Sequence, residues 1–199
     1  QAFKVSEFFA LEKMLKIALE RDEFGLHYQP QTDLRSGAII AVEALVRWNS
    51  KERGLVSPME FIPVAEETRL IIPIGEQILR MACRQWSAWH EQGIALRMAV
   101  NVSPVQFREP SFCSMGESIL REAGMPAQSL EIEITEGVLM GNTEAAMKKL
   151  QTIKEMGVTV AVDDFGTGYS SLEYLKDLPI DRLKIDASFV RLIGQDEKA

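Results

Sequence analysis

The sequence predicts an α/β fold, a TIM-like (β/α) barrel with an antiparallel first strand, here cut to about six strands. Three observations predict it. After an opening hairpin, strand-like and helix-like segments alternate along the 199 residues. Each strand places apolar residues on one parity and a polar residue on the other. A β-branched run, Val158 to Val162, meets Asp163-Asp164 and then a turn bearing Gly166 and Gly168. In parallel α/β proteins such a strand end is where ligands bind.

The elements follow in order. Phe8 to Arg21 has helical spacing, with Phe8, Leu11, Met14, Leu15, Ala18 and Leu19 on one stripe. It is expected as a docking helix or the end of a linker. Leu26 to Gln31 and Ile39 to Trp48 are strands. The turn-rich Thr32 to Gly37 between them is too short for a crossover helix, so the pair is expected antiparallel. Pro58 to Glu67 and Ile72 to Gln92 are helices, the second ended by Gly93. Leu96 to Val102 is a strand, Phe112 to Ala123 a helix with Gly124 and Pro126 as stops, and Leu130 to Thr135 a strand. Asn142 or Thr143 caps a helix to about Met156, closed by Gly157. The central strand follows, then a helix near Leu172 to Lys176, and Arg182 to Asp186 as the sixth strand.

Composition narrows the function. The chain is 46% hydrophobic and 26% charged, enough for one domain with a sizeable core. A net charge of −7 without a basic block argues against a DNA or RNA polymer as partner. Cys83 and Cys113 form neither a metal spacing nor a disulfide framework, so a reducing, cytoplasmic compartment is expected, the domain standing alone or as the cytoplasmic part of a membrane-anchored protein. No apolar run approaches the roughly 18 residues of a membrane span, and no signal peptide is visible. The start at Gln1 suggests a domain cut from a longer protein.

Parity gathers the polar residues. Glu43, Leu45 and Arg47 share a face opposite Val42, Ala44 and Val46; Asn101, Glu133, Asp163 and Lys184 likewise oppose apolar neighbours, and Gln29 opposes Leu26 and Tyr28. Such a set suits a barrel: apolar side toward the helices, functional groups inward at one end. Glu131 shares the inward parity but sits deeper, with no evident partner. His27 shares Gln29's parity, is placed lower, and is expected as a satisfied core histidine. Glu43, Asn101, Glu133, Asp163 and Asp164 are all oxygen ligands, the set Mg²⁺ or Mn²⁺ prefers. Two such ions about 4 Å apart clamp a phosphodiester and acidify a shared water. Lys184 is placed to orient that water, and Arg47 suits a forked phosphate contact. Neighbouring Asp163 and Asp164 serve one site only if the strand ends there, an irregularity that Phe165-Gly166 is expected to supply.

At these residues the chain resembles the EAL-domain family of bacterial phosphodiesterases specific for cyclic di-GMP. The motifs are Tyr28-Gln29-Pro30, Glu43-Ala44-Leu45 within Glu43 to Trp48, Asn101-Val102-Ser103, Glu133-Ile134-Thr135-Glu136, Asp163 to Ser171, and Leu183-Lys184-Ile185-Asp186. The resemblance spans roughly Leu11 to Ile193. It implies a (β/α)₈ barrel with an antiparallel first strand, and hydrolysis of cyclic di-GMP to linear pGpG by metal-activated water. It makes Glu43, Asn101, Glu133 and Asp163 ligands of one metal and Asp164 of a second, so that Mg²⁺ or Mn²⁺ binds twice per site. Glu43 and Lys184 become the catalytic pair, Lys184 contacting the attacking water. Gln29, Arg47 and Leu45 would hold substrate, and Glu136 would anchor the loop from Asp164 to Ser171, which couples metal binding to dimerisation in the family. A homodimer is implied, with an upstream sensor or GGDEF (diguanylate cyclase) domain.

The resemblance divides the chain into an N-terminal helix or linker, 1–22, and an EAL domain, 23–199, incomplete at its C-terminus. The family continues past the sixth strand with two more, carrying a glutamate of a Glu-Gly-Val-Glu motif and a glutamine of a Gln-Gly motif. This chain reaches Ala199 before either. It is expected to be a fragment, or to have the gap covered by exchange of elements with another chain. Two other functions stand beside the enzyme: a catalytically inactive module that binds cyclic di-GMP or a protein, and a scaffold. The intact ligand set favours the enzyme.

Overall fold

The computed structural model describes residues 2–140, 143–165 and 178–192. Helix α1 (Ala2–Glu20) leads into a hairpin of β1 (Phe24–Thr32) and β2 (Ile39–Ser50), with β3 (Gly54–Val56) folded back on β2. Then come α2 (Pro58–Glu67), α3 (Ile71–Glu91), β4 (Arg97–Val102), α4 (Pro104–Arg108), α5 (Phe112–Ala123), a 3₁₀ turn (Ala127–Ser129) and β5 (Leu130–Thr135). After α6 (Glu136–Met140) and α7 (Thr143–Glu155) follow β6 (Thr159–Phe165), β7 (Arg182–Ile185) and α8 (Ala187–Leu192). The helix expected near Leu172 to Lys176 lies outside the described residues.

The hairpin forms because Asp33 organises its turn. Its Oδ1 accepts from the backbone N–H of Arg35 and Ser36 at 3.1 and 2.8 Å and from the Ser36 hydroxyl at 2.7 Å. Gly37 at φ 70° then takes a left-handed conformation open to few other residues. The sheet order is β1-β2-β4-β5-β6-β7, with β3 beside β2. From β2 through β4, β5, β6 and β7 the pairs are parallel; β1 is antiparallel to β2 as expected. The 7-stranded sheet has one strand more than the sequence suggests, because three residues at β3 carry too little pattern to read.

Helices cover the apolar parity. Val42, Ala44, Val100, Val102, Ile132, Ile134, Val160 and Val162 are all buried. Trp48 is fully buried between Phe24 and Phe61, with ring centroids 6.0 and 5.6 Å away, joining the hairpin to α2. Leu11, Leu15 and Ala18 bury one face of α1 in the same core. The other parity points to the inner face of the sheet, and there the polar residues collect.

The deep carboxylate on that face is paired. Glu131 is 1% exposed and bonds Arg182 on β7. Arg97 Nε on β4 lies 3.2 Å from it, an ion pair whose angle does not make a hydrogen bond. Two guanidiniums therefore offset one buried charge beneath the functional layer.

His27 departs from expectation. The register sets Gln29 opposite Glu43 and His27 opposite Leu45. Because β1 runs against its neighbours, counting back along it moves toward the mouth, not the floor. His27 is exposed there and is not a core histidine.

Candidate functional site

Register brings the polar residues to one layer. Asn101 on β4 is paired with Glu133 on β5; Glu43 on β2 is beside Ala99, and Glu133 beside Ala161. Ala99 and Ala161 are fully buried and share the inward parity. A larger side chain at either would stand between the carboxylates, a role for alanine that parity reading passes over. Asp163 lies one pleat further along β6, opposite Thr135. The ring thus climbs from strand to strand, as tilted barrel strands require.

Glu43, Glu133 and Asp163 each offer an oxygen, and the three oxygens lie within 4.8 Å of one another. Lys184 ties the group together. Its Nζ donates to Glu43 Oε2 at 3.1 Å, to Asp163 Oδ2 at 3.0 Å, and to Glu133 Oε2. Asn101 Nδ2 donates to Glu43 Oε1 at 2.7 Å. The Glu133 side chain is 0% exposed, and its Oε1 has no hydrogen-bond partner among the described residues.

The charges do not balance. Three carboxylates surround one ammonium, in surroundings that solvate charge poorly. Burial pushes the Glu133 carboxyl up to about 7; Lys184 pulls it down, while Glu43 and Asp163 push it up again. For Lys184 burial alone would lower the pKa, but the hydrogen bonds and charges of Glu133, Asp163 and Glu43 hold it above its ordinary value. Both shifts have one origin: the cluster retains its ammonium and tends to take up a further positive charge.

Asp164 shows how consecutive aspartates reach one region. It adopts φ 53°, a left-handed conformation costing roughly 1–2 kcal/mol for a non-glycine residue. The β6–β7 register breaks between Val162 and Phe165. An irregularity thus falls on Asp164 itself, and the strand does not end at the aspartates as expected: β6 continues to Phe165, while Gly166 lies outside the described residues. Burial, then Asp163 and Asp186, raise the Asp164 carboxyl, and Lys184 lowers it. The Asp164 N–H also donates to Asp163 Oδ1 at 2.9 Å, fixing that carboxylate.

The remaining candidates lie around this centre. Gln29 is exposed opposite Glu43. Arg47 is half-buried, donating to Val46 O at 2.8 Å, and with Leu45 lines a cavity of about 270 Å³ that also touches Asn101 and Glu133. Glu136 opens α6, is buried, and has an Oε2 without a hydrogen-bond partner among the described residues. The loop it is expected to anchor lies almost wholly outside them. His90, stacked on Trp86 with centroids 4.6 Å apart, belongs to α3 and is absent from the acidic group.

The residues present fit a hard divalent cation. The donors are carboxylate oxygens with an amide oxygen beside them, and the fully buried one has an oxygen without a hydrogen-bond partner among the described residues. Fold and site together define an α/β barrel-type domain with an oxygen-ligand acidic centre at the C-terminal ends of its parallel strands.

The comparisons give that class its name: the EAL domain profile matches residues 12–199, and the chain belongs to that family. Its fold is the TIM-like barrel fold of EAL structures, present here as an open sheet with helices on its apolar face. Among curated relatives, the cyclic di-GMP phosphodiesterase PdeR of Escherichia coli K12 is 42% identical over 188 residues, 94% of this chain and 28% of the relative. The bifunctional diguanylate cyclase/cyclic di-GMP phosphodiesterase MucR of Pseudomonas aeruginosa is 42% identical over 183 residues, 92% of this chain and 27% of the relative. The solved PaMucR phosphodiesterase–c-di-GMP complex superposes with a TM-score of 0.89 at 40% identity, covering 95% of this chain and 77% of that one. The chain thus spans less than a third of the length of either curated relative.

Proposed function

We propose that this chain carries the metal-dependent phosphodiesterase site of a longer signalling protein, hydrolysing cyclic di-GMP to linear pGpG. The observation that supports it most is the convergence of Glu43, Glu133 and Asp163 within 4.8 Å, with a buried Glu133 oxygen that has no hydrogen-bond partner among the described residues. Relatives named cyclic di-GMP phosphodiesterases and a neighbour holding c-di-GMP point the same way.

Glu43, Asn101, Glu133 and Asp163 would hold one cation and Asp164 a second, Mg²⁺ or Mn²⁺. When bound, such cations acidify water and offset phosphate charge. The protein's own groups do the rest. Gln29 and Arg47 fix the phosphodiester, and Leu45 gives the ligand an apolar support. Lys184, kept charged by three carboxylates, donates a hydrogen bond that orients the attacking water. Water oxygen adds to phosphorus, one P–O3′ bond breaks, and the freed 3′ oxygen takes a proton, giving pGpG.

Glu136 holds the loop that follows Asp164, linking the site to a homodimer contact. Residues 1–22 form the helix or linker arriving from a sensor or GGDEF domain, and 23–199 the EAL domain. The protein acts on the cytoplasmic side; among the described residues no helix is long and apolar enough to cross a membrane.

The test is incubation of the purified chain with cyclic di-GMP and Mg²⁺ or Mn²⁺, scored for pGpG. Product that disappears with EDTA supports the reading. Tight binding without product makes the chain a receptor, and neither binding nor product makes it a scaffold.

A further inference from the structure

β7 is 4 residues long and, among the described residues, pairs on one side only, with β6. Ala161 is paired with Arg182 and Val162 with Leu183; the next pair is Phe165 with Ile185. Between these pairs β6 has two residues, Asp163 and Asp164, and β7 has one, Lys184. Two residues against one make a β-bulge, where the ladder is locally disrupted. Main-chain pairing thus leaves Lys184 without a registered partner, and its long flexible stem does not by itself fix where the ammonium stands. Yet Nζ lies 3.1 Å from Glu43 Oε2 and 3.0 Å from Asp163 Oδ2, and bonds Glu133 as well.

Two contacts fasten the strand. Asp181, just before β7, grips Val160 of β6 at both backbone groups: its N–H donates to Val160 O and its Oδ2 accepts from the Val160 N–H, each at 2.8 Å. Its Oδ1 accepts from Lys154 of α7. On the inner face, Arg182 bonds Glu131. This contact repeats the one above it. Arg182 and Lys184 are two residues apart on β7, Glu131 and Glu133 two apart on β5, and both cations reach across β6. Glu131–Arg182 is therefore the same step as Glu133–Lys184, one pleat lower. Arg97 of β4 meets the same Glu131 oxygen, so the carboxylate is held from two strands. Glu131 is almost inaccessible, and an ion pair so buried adds little net stability; its best-attested use is to fix registry.

We propose that Arg182, held by Glu131, is a positioning residue for Lys184: the lower ion pair fixes the height of β7 and so keeps the ammonium between Glu43, Glu133 and Asp163. Where the bulge frees Lys184 from the ladder, the rung beneath it restores the register. The inference rests on the phosphodiesterase reading for its effect on rate and adds a residue to that site; the placement of the ammonium in the metal-free chain does not depend on turnover.

NMR of the metal-free chain, with the lysine side-chain nitrogens isotopically labelled, reads that placement. The Lys184 ammonium resonance is assigned by its loss in Lys184→Met, and its three hydrogen bonds should keep it visible where exposed lysines exchange with water. Arg182→Met leaves Glu131 paired with Arg97 and should lose the signal; Arg182→Lys still reaches Glu131 and should keep it. A folded Arg182→Met with the wild-type Lys184 resonance overturns the inference. Should Arg182→Met not fold, Arg182→Gln carries the same expectation and the same refutation. With Mn²⁺ and cyclic di-GMP, Arg182→Met should lower kcat by about tenfold to a hundredfold and leave KM within about twofold, because the group that orients the water is displaced while Gln29 and Arg47 are not. In a Lys184→Met background the same substitution should cost nothing further, since its effect runs through the lysine. An equal loss in that background means that Arg182 acts on the fold at large, and overturns the inference. A wild type that makes no pGpG defeats the enzymatic reading, while the resonance still decides this one.

Discussion

Asn101 Nδ2 on β4 donates to Glu43 Oε1 on β2 at 2.7 Å, and the other oxygen of Glu43 is left to Lys184. The amide is exposed and the carboxylate only partly buried, so the pair contributes little to folding. What it does is orient the carboxylate. Asn101→Ala should therefore leave the melting temperature within a degree or two while weakening Mn²⁺ binding by about tenfold to a hundredfold, measured by calorimetry. An unchanged Mn²⁺ affinity would remove Asn101 from the site.

Lys184 compensates three carboxylates at once. Lys184→Met leaves them facing one another and should destabilise the metal-free protein by about 2 kcal/mol. Mn²⁺ should then raise the melting temperature of the variant more than that of the wild type, because the ion supplies the missing charge. Equal metal-induced shifts would contradict this electrostatic account.

The pH dependence follows from Glu133. Its carboxyl is raised from 4.5 to about 7 by burial, so the folded metal-free state holds a proton that the unfolded chain has already released. This contribution to stability is fully present below the unfolded pKa of 4.5 and is lost as pH rises through about 7. A cation must displace that proton. At pH 6, Mn²⁺ binding should release about one proton, counted by calorimetry in buffers of different ionisation enthalpy, and at pH 9 almost none. Release that does not change between those pH values would mean Glu133 is no ligand.

Gly75 and Gln106 are matched. In Gly75→Ala the new Cβ would meet Nε2 at 1.7 Å and Cδ at 2.5 Å, so the Gln106 side chain must leave its place and its capping box, or α3 must shift. The expected loss is about 1–3 kcal/mol by thermal denaturation. Gly75→Ala with Gln106→Ala should recover part of it, and no recovery would mean the strain lies elsewhere.

Much of this was legible in the chain. Parity alone put Glu43, Asn101, Glu133, Asp163 and Lys184 on one face, because a two-residue period survives any context. Parity does not give height on an antiparallel strand, so His27 was placed on the wrong side of Gln29. Nor does it reveal pairing between distant strands: Glu131 had no visible partner until Arg97 and Arg182 were brought to it. The left-handed turn at Asp164 has no sequence signal of its own, since an aspartate in that position reads like any strand-end carboxylate. Gln106 went unread because its capping box looks like ordinary helix punctuation; only the space at Gly75 shows where its amide points.

The most direct test is anomalous diffraction from a crystal of this chain grown with Mn²⁺. The account predicts a manganese peak bounded by Glu43, Asn101, Glu133 and Asp163, with Lys184 displaced from the centre of the carboxylates. Manganese found only elsewhere, with Lys184 still bonded to all three acids, would contradict it.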